Sequence, residues 1–90
     1  MNYRKASEHF VNTAFCLLDT YKHAPKACDP NKEVYLDGDY GLRISADGNL
    51  SVVDPQGILI AHSFNKAYSK ITYVGKLLTV YLEHLQMDDC

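Results

Sequence analysis

Two short segments, Ala46-Asp47-Gly48 and Pro55-Gln56-Gly57, interrupt a stretch of alternating apolar and polar residues, and each ends in glycine. That pattern predicts two three-residue hairpin loops, each a type I turn closed by a left-handed glycine. Only glycine takes that conformation without a Cβ penalty, so the two segments constrain strand register as well as chain reversal. The first loop would set Ser45 opposite Asn49, Ile44 opposite Leu50 and Leu42 opposite Val52. The second would set Asp54 opposite Ile58, Val52 opposite Ile60 and Leu50 opposite His62. Tyr40, Leu42, Ile44, Leu50, Val52, Ile58 and Ile60 then share one face. A two-residue Asp47-Gly48 turn would instead put Ile44 against Ser51. A slip of one residue inverts burial along a strand, so the three-residue reading is preferred.

The other face would carry Gly41, Arg43, Ser45, Ser51, Val53, Leu59 and Ala61. Val34-Tyr35-Leu36 reads as a further short strand, turned back by Asp37-Gly38-Asp39, with Val34 and Leu36 joining this second, mixed face.

Amphipathic segments flank the strands. Ala6, Phe10, Val11, Ala14, Phe15, Leu17, Leu18 and Tyr21 fill about half of a helical circumference. That helix should stop near His23, because Pro25 disfavours helical geometry in the residue before it. At the other end Ala67, Ile71, Val74, Leu78, Tyr81 and Leu85 recur at spacings of three and four. Ser63 or Asn65 is placed to cap this second helix. Ile71, Thr72, Val74 and Gly75 lower its helix propensity, which leaves a strand over 71–74 as the competing reading.

The expected organisation is a single α+β domain over residues 1–90: helix 3–22, loop 23–33, strands 34–36, 40–45, 49–54 and 58–63, helix 66–86 and tail 87–90. The strands form a three- or four-stranded antiparallel meander, with both helices packed on the Leu42/Val52/Ile60 face.

Charge and cysteine usage narrow the function. A net charge of −2 gives no basic field of the kind that nucleic-acid binding uses. No apolar run is long enough to span a bilayer, and the N-terminal residues lack a signal-peptide apolar core. Cys16, Cys28 and Cys90 are irregularly spaced, which suits a reducing compartment, and a cytoplasmic location is expected.

Motifs for chemistry are weak. Zinc sites bring close ligand pairs, whereas the nearest pair here, His23 and Cys28, spans four residues of loop. His9 and His84 fall on helix flanks, and His62 is placed at the end of the core face. The run Asp37-Gly38-Asp39-Tyr40-Gly41 supplies only a fragment of a calcium loop. Cys16 lies mid-helix, away from the N-terminal dipole that would activate a thiolate. No metal or cofactor is expected, and no catalytic residue is assigned.

Tyrosine is the enriched type, seven of 90 residues with no tryptophan. Its apolar body and polar tip favour interfaces. The expected function is therefore a non-enzymatic protein-interaction module, a small adaptor or an inhibitor of the kind that phages and mobile elements encode. Two surfaces are candidates. Val34, Leu36, Val53 and Leu59 would form an apolar patch suited to a partner or a homodimer. Asp37, Asp39 and Asp54, gathered around Tyr40, would suit another protein with a basic surface, and Tyr73 would extend the contact area.

Two alternatives stand beside this. One is nucleic-acid binding through Lys66, Lys70 and Lys76, two of which lie at the start of the second helix. The order helix–three strands–helix is similar to that of double-stranded-RNA-binding domains, whose loop motif and dense lysines this chain lacks. Small phage integrase arm-binding domains share the three strands and following helix, again with basic strands that are absent here. The other alternative is a small metal- or histidine-dependent enzyme.

Overall fold

Asn2 starts the first helix by accepting a hydrogen bond from the Lys5 backbone N–H at 3.2 Å, which satisfies one of the donors a first turn leaves unpaired. The computed structural model describes residues 2–24, 33–62 and 70–88. Helix α1 runs over Tyr3–His23 and buries Ala6, Phe10, Ala14 and Leu18, one residue per turn along a single stripe. Lys22 lies in its last turn, where its positive charge complements the helix dipole.

Four antiparallel strands follow: β1 (Val34–Tyr35), β2 (Gly41–Ile44), β3 (Leu50–Val53) and β4 (Leu59–His62), side by side in chain order. Both glycine-ended loops form as expected. Ser45 and Asn49 close the first, with the Ser45 N–H donating to Asn49 at 2.8 Å, and Asp54 and Ile58 close the second at 2.9 Å. Gly48 and Gly57 sit at φ 83° and 86°. Leu42 lies opposite Val52 and Ile44 opposite Leu50, as the loop length requires. The Asp37–Asp39 turn is a short 3₁₀ segment with Gly38 and Asp39 both left-handed. Aspartate tolerates that conformation better than most residues, because its short side chain bonds locally.

Two parts of the expected register are corrected. Val34 pairs with Leu42, and the Leu36 N–H donates to the Tyr40 carbonyl at 2.6 Å. A three-residue loop pairs 36 with 40 and 34 with 42, and directly paired residues share a face. Val34 and Leu36 therefore lie on the helix-covered face, and Leu36 is part of the core.

The second correction lies in β4. Val53 pairs with Leu59, but Val52 pairs with Ala61 and Ser51 with His62, so Ile60 is an inserted bulge residue. A bulge inverts the parity of everything beyond it. Ile60 and Ala61 both pack against the core, while His62 moves to the face it shares with Ser51 rather than lying beside Ile44 and Leu50. The bulge thus keeps two apolar side chains under α2 and takes an imidazole off the apolar face.

Helix α2 covers Lys70–Asp88. Residues 71–74 are helical, and Val74, Leu77, Tyr81 and Leu85 form its buried stripe. This stripe explains why tertiary burial overrides the β-branched residues that favour a strand. Both helices pack on one face of the sheet and against each other, enclosing Leu42, Ile44, Leu50 and Val52 with Phe10 and Tyr81. The caps expected at Ser63 or Asn65, the start of the second helix at 66–69 and most of the loop after α1 lie outside the described residues. No described helix is long and apolar enough to cross a membrane.

Candidate interaction surface

The face turned away from the two helices is set by strand pairing. Tyr35, Gly41, Val53 and Leu59 are successive cross-strand partners and form one row across all four strands. Arg43, Ser51 and His62 form the adjacent row, extended by Glu33, two residues before Tyr35. Tyr35 and Leu59, at the two ends of the first row, are 69% and 50% exposed.

The middle of the face is closed by an ion pair. Arg43 donates through Nε to Glu33 Oε1 at 3.0 Å, and its Nη2 donates to the same oxygen. The Glu33 carboxylate lies above Gly41, where a Cβ would come within 2.7 Å of Oε2. Opposite charges paired across neighbouring strands support the sheet. Val53, only 2% exposed, is buried on this side and does not belong to the helix-covered core. A shallow groove of about 260 Å³ runs between Arg43, Ser45, Ser51, Val53, Gly57 and Leu59.

Of the residues singled out from sequence for an apolar patch, the structure thus brings Val53 and Leu59 together and places Val34 and Leu36 on the other side. Val34 instead lines a second groove with Asn12, Thr13, Cys16 and Leu17 of α1. Tyr35, Glu33, Arg43 and His62 complete the open face. Tyr35 was legible as a residue of the 34–36 strand and Glu33 as the end of the loop before it, but only the correct turn parity puts them on this side.

The acidic loops share one end of the meander, because the β1–β2 and β3–β4 connections both lie there. The Asp54 and Asp37 carboxylates have local neighbours. Asp54 Oδ1 accepts from the backbone N–H groups of Gln56 at 3.0 Å and Ile58 at 2.8 Å, which makes it the internal cap of its own loop. Asp37 lies 3.6 Å from His9 Nδ1, and its carbonyl accepts the Tyr81 hydroxyl at 3.0 Å. Tyr40 is 1% exposed, with its ring set edgewise on Tyr81, so it offers no surface between the aspartates. Tyr73 is half-buried, and burial raises its phenol above the ordinary range. Replacing Asp54 by alanine should cost about 1 kcal/mol in urea unfolding, while asparagine, which keeps one acceptor oxygen, should cost less than half of that.

Among the described residues no group of three or more His, Cys, Asp or Glu side chains could hold a metal ion. Lys66 lies outside the described residues, Lys70 opens α2, and Lys76 is exposed on it. Comparison with known proteins gave no match to a family model, to a curated protein or to a solved structure.

Proposed function

We propose that this chain is a non-enzymatic protein-interaction module that docks through the sheet face opposite its helices, acting as a small adaptor or as an inhibitor that blocks the protein it binds. One observation carries this reading. Two large side chains, Tyr35 and Leu59, stand exposed at the ends of a single row on a face otherwise closed by Val53 and the Glu33–Arg43 pair. An exposed tyrosine and an exposed leucine on one face offer the amphipathic and apolar area on which contacts with another protein are built. The acidic loops at the end of the same sheet favour a partner with lysine or arginine beside its docking patch, since charge steers encounter.

A photo-cross-linking side chain at position 59 tests this in cells of the natural host, with the same side chain at position 71 as control. Ile71 is also exposed, but on α2. Position 59 should capture a discrete protein that position 71 does not, and capture in lysate should fall as salt rises through the range that screens exposed charges. Equal capture from both positions would remove the sheet face as the docking surface.

A further inference from the structure

The two edges of the sheet differ. At β4 the Ile60 bulge breaks the regular spacing of backbone groups along the strand, one of the devices that keep an edge from pairing further. β1 carries no such interruption. Val34 and Tyr35 pair regularly with β2, and Leu36 continues in extended conformation at φ −102° and ψ 176°.

Strand parity sets where the β1 backbone groups point. The Leu36 N–H donates to the Tyr40 carbonyl, so 36 and 40 form a hydrogen-bonded pair, and such pairs alternate along an antiparallel ladder. Tyr35 and Gly41 are therefore a non-hydrogen-bonded pair. The Tyr35 N–H and carbonyl point away from β2, off the edge of the sheet, and no described group bonds either of them. A donor and an acceptor on one extended residue are what a further strand completes.

The groove beside this edge is an unfinished part of the helix–sheet layer. Val34, on the helix-covered face, is 39% exposed. With Asn12, Thr13, Cys16 and Leu17 of α1 it lines a groove of about 290 Å³, and Leu17 packs against the core. A strand added beside β1 would direct every second side chain into that groove. The acidic β1–β2 turn, with Asp37 and Asp39, lies at the end of the same edge.

We propose that the β1 edge takes an extended peptide segment of another protein by strand addition. The segment pairs with the Tyr35 backbone, sets an apolar side chain between Val34 and Leu17, and places a Lys or Arg near Asp37 and Asp39. The contact uses the edge and the helix side of β1, so it stands or falls independently of the position-59 result.

A displayed library of random linear peptides, selected against the full chain, tests the proposal. Enriched sequences should share an apolar residue flanked by Lys or Arg. Their amide NMR footprint should fall on Val34, Tyr35, Cys16 and Leu17 and leave Leu59 and Ile71 unmoved. The Tyr35 amide should exchange faster than the Leu36 amide in the free chain and become protected when peptide binds. Cys16→Arg fills the groove from an exposed helix position and should weaken binding by on the order of tenfold or more. Tyr35→Pro removes the outward N–H but none of the bonds to β2, and should weaken binding more than Tyr35→Val, which keeps that N–H. Ile71→Lys should have no effect. No enriched peptide, a footprint on α2 or on Arg43, Ser51 and Leu59, or a Tyr35 amide already protected in the free chain overturns the proposal. So does a mass that doubles from 10.2 kDa with Tyr35 protected in the absence of peptide, which makes a second copy the occupant.

Discussion

Tyr81→Ala should remove about 3–5 kcal/mol of stability. The ring is fully buried where α2 meets α1 and the sheet. It stacks on Phe10 with centroids 5.1 Å apart and takes the edge of Tyr40 at 5.4 Å. Aromatic pairs of this kind add about 0.5–1.5 kcal/mol each beyond the area they bury. The hydroxyl reaches the Asp37 carbonyl at 3.0 Å, tying α2 to the β1–β2 turn. A small domain has only about 5–15 kcal/mol in total, so urea unfolding of this variant should begin at or near zero denaturant. Tyr81→Phe keeps the ring contacts and should cost only about 1 kcal/mol, the net worth of one hydrogen bond.

The same side chain gives a pH signature. Burial, and secondarily the Asp37 carboxylate, holds the Tyr81 phenol well above its ordinary range. The folded state thus favours the neutral phenol. Its contribution is fully present below the unfolded value of about 10 and is lost as pH rises from there toward the folded value. Stability should therefore fall on the alkaline side, and Tyr81→Phe should flatten that fall when urea midpoints are measured between about pH 9 and pH 11. Tyr73, raised by burial alone, contributes with the same sign, so Tyr73→Phe is the companion measurement.

What could be read from the sequence was local and periodic. The glycines at 48 and 57 specified their loops because a positive φ is a property of one residue type. The α1 stripe and most of the α2 stripe were legible from spacing, although Ile71, counted in the second, is exposed, and burial of Val74 and Leu77 settled the helix over 71–74. Ile58, expected on the core face, is exposed just before β4, and the errors that changed the faces came where parity decided the outcome. Asp37-Gly38-Asp39 marks a turn, but only its three-residue length sends Val34 and Leu36 toward the helices. The bulge at Ile60 has no glycine or proline to announce it. It arises because α2 lies over β4 and covers both Ile60 and Ala61, a tertiary demand absent from the local pattern. Both errors moved residues between faces, so the candidate surface changed membership while the fold did not. Tyr40 shows the same limit: an aromatic beside two aspartates reads as a contact residue, yet its position opposite Tyr81 makes it core.

Gly48→Ala should cost clearly more than Gly57→Ala, although the two glycines have nearly the same backbone conformation. Placing alanine at φ 83° or 86° costs roughly 1–2 kcal/mol in either loop. Nothing lies within 4 Å of a Cβ at position 57, so strain is the whole effect there. At position 48 the Tyr21 ring lies 2.6 Å from the place a Cβ would occupy. That ring is not free to retreat at no cost, because its hydroxyl donates to the Ala46 carbonyl at 2.8 Å, holding the end of α1 on the β2–β3 loop. Alanine must therefore displace the ring, and the displacement gives up its packing and the hydrogen bond, for a further loss of about 1 kcal/mol or more. A double-mutant cycle separates the two causes. With Tyr21→Ala already in place, the cost of Gly48→Ala should drop to that of Gly57→Ala, giving a coupling of about 1 kcal/mol between positions 27 residues apart in sequence but in contact in the fold. Equal costs for the two glycine substitutions in the parent chain, or a coupling indistinguishable from zero, would mean that the ring does not hold this loop and that backbone strain alone fixes it.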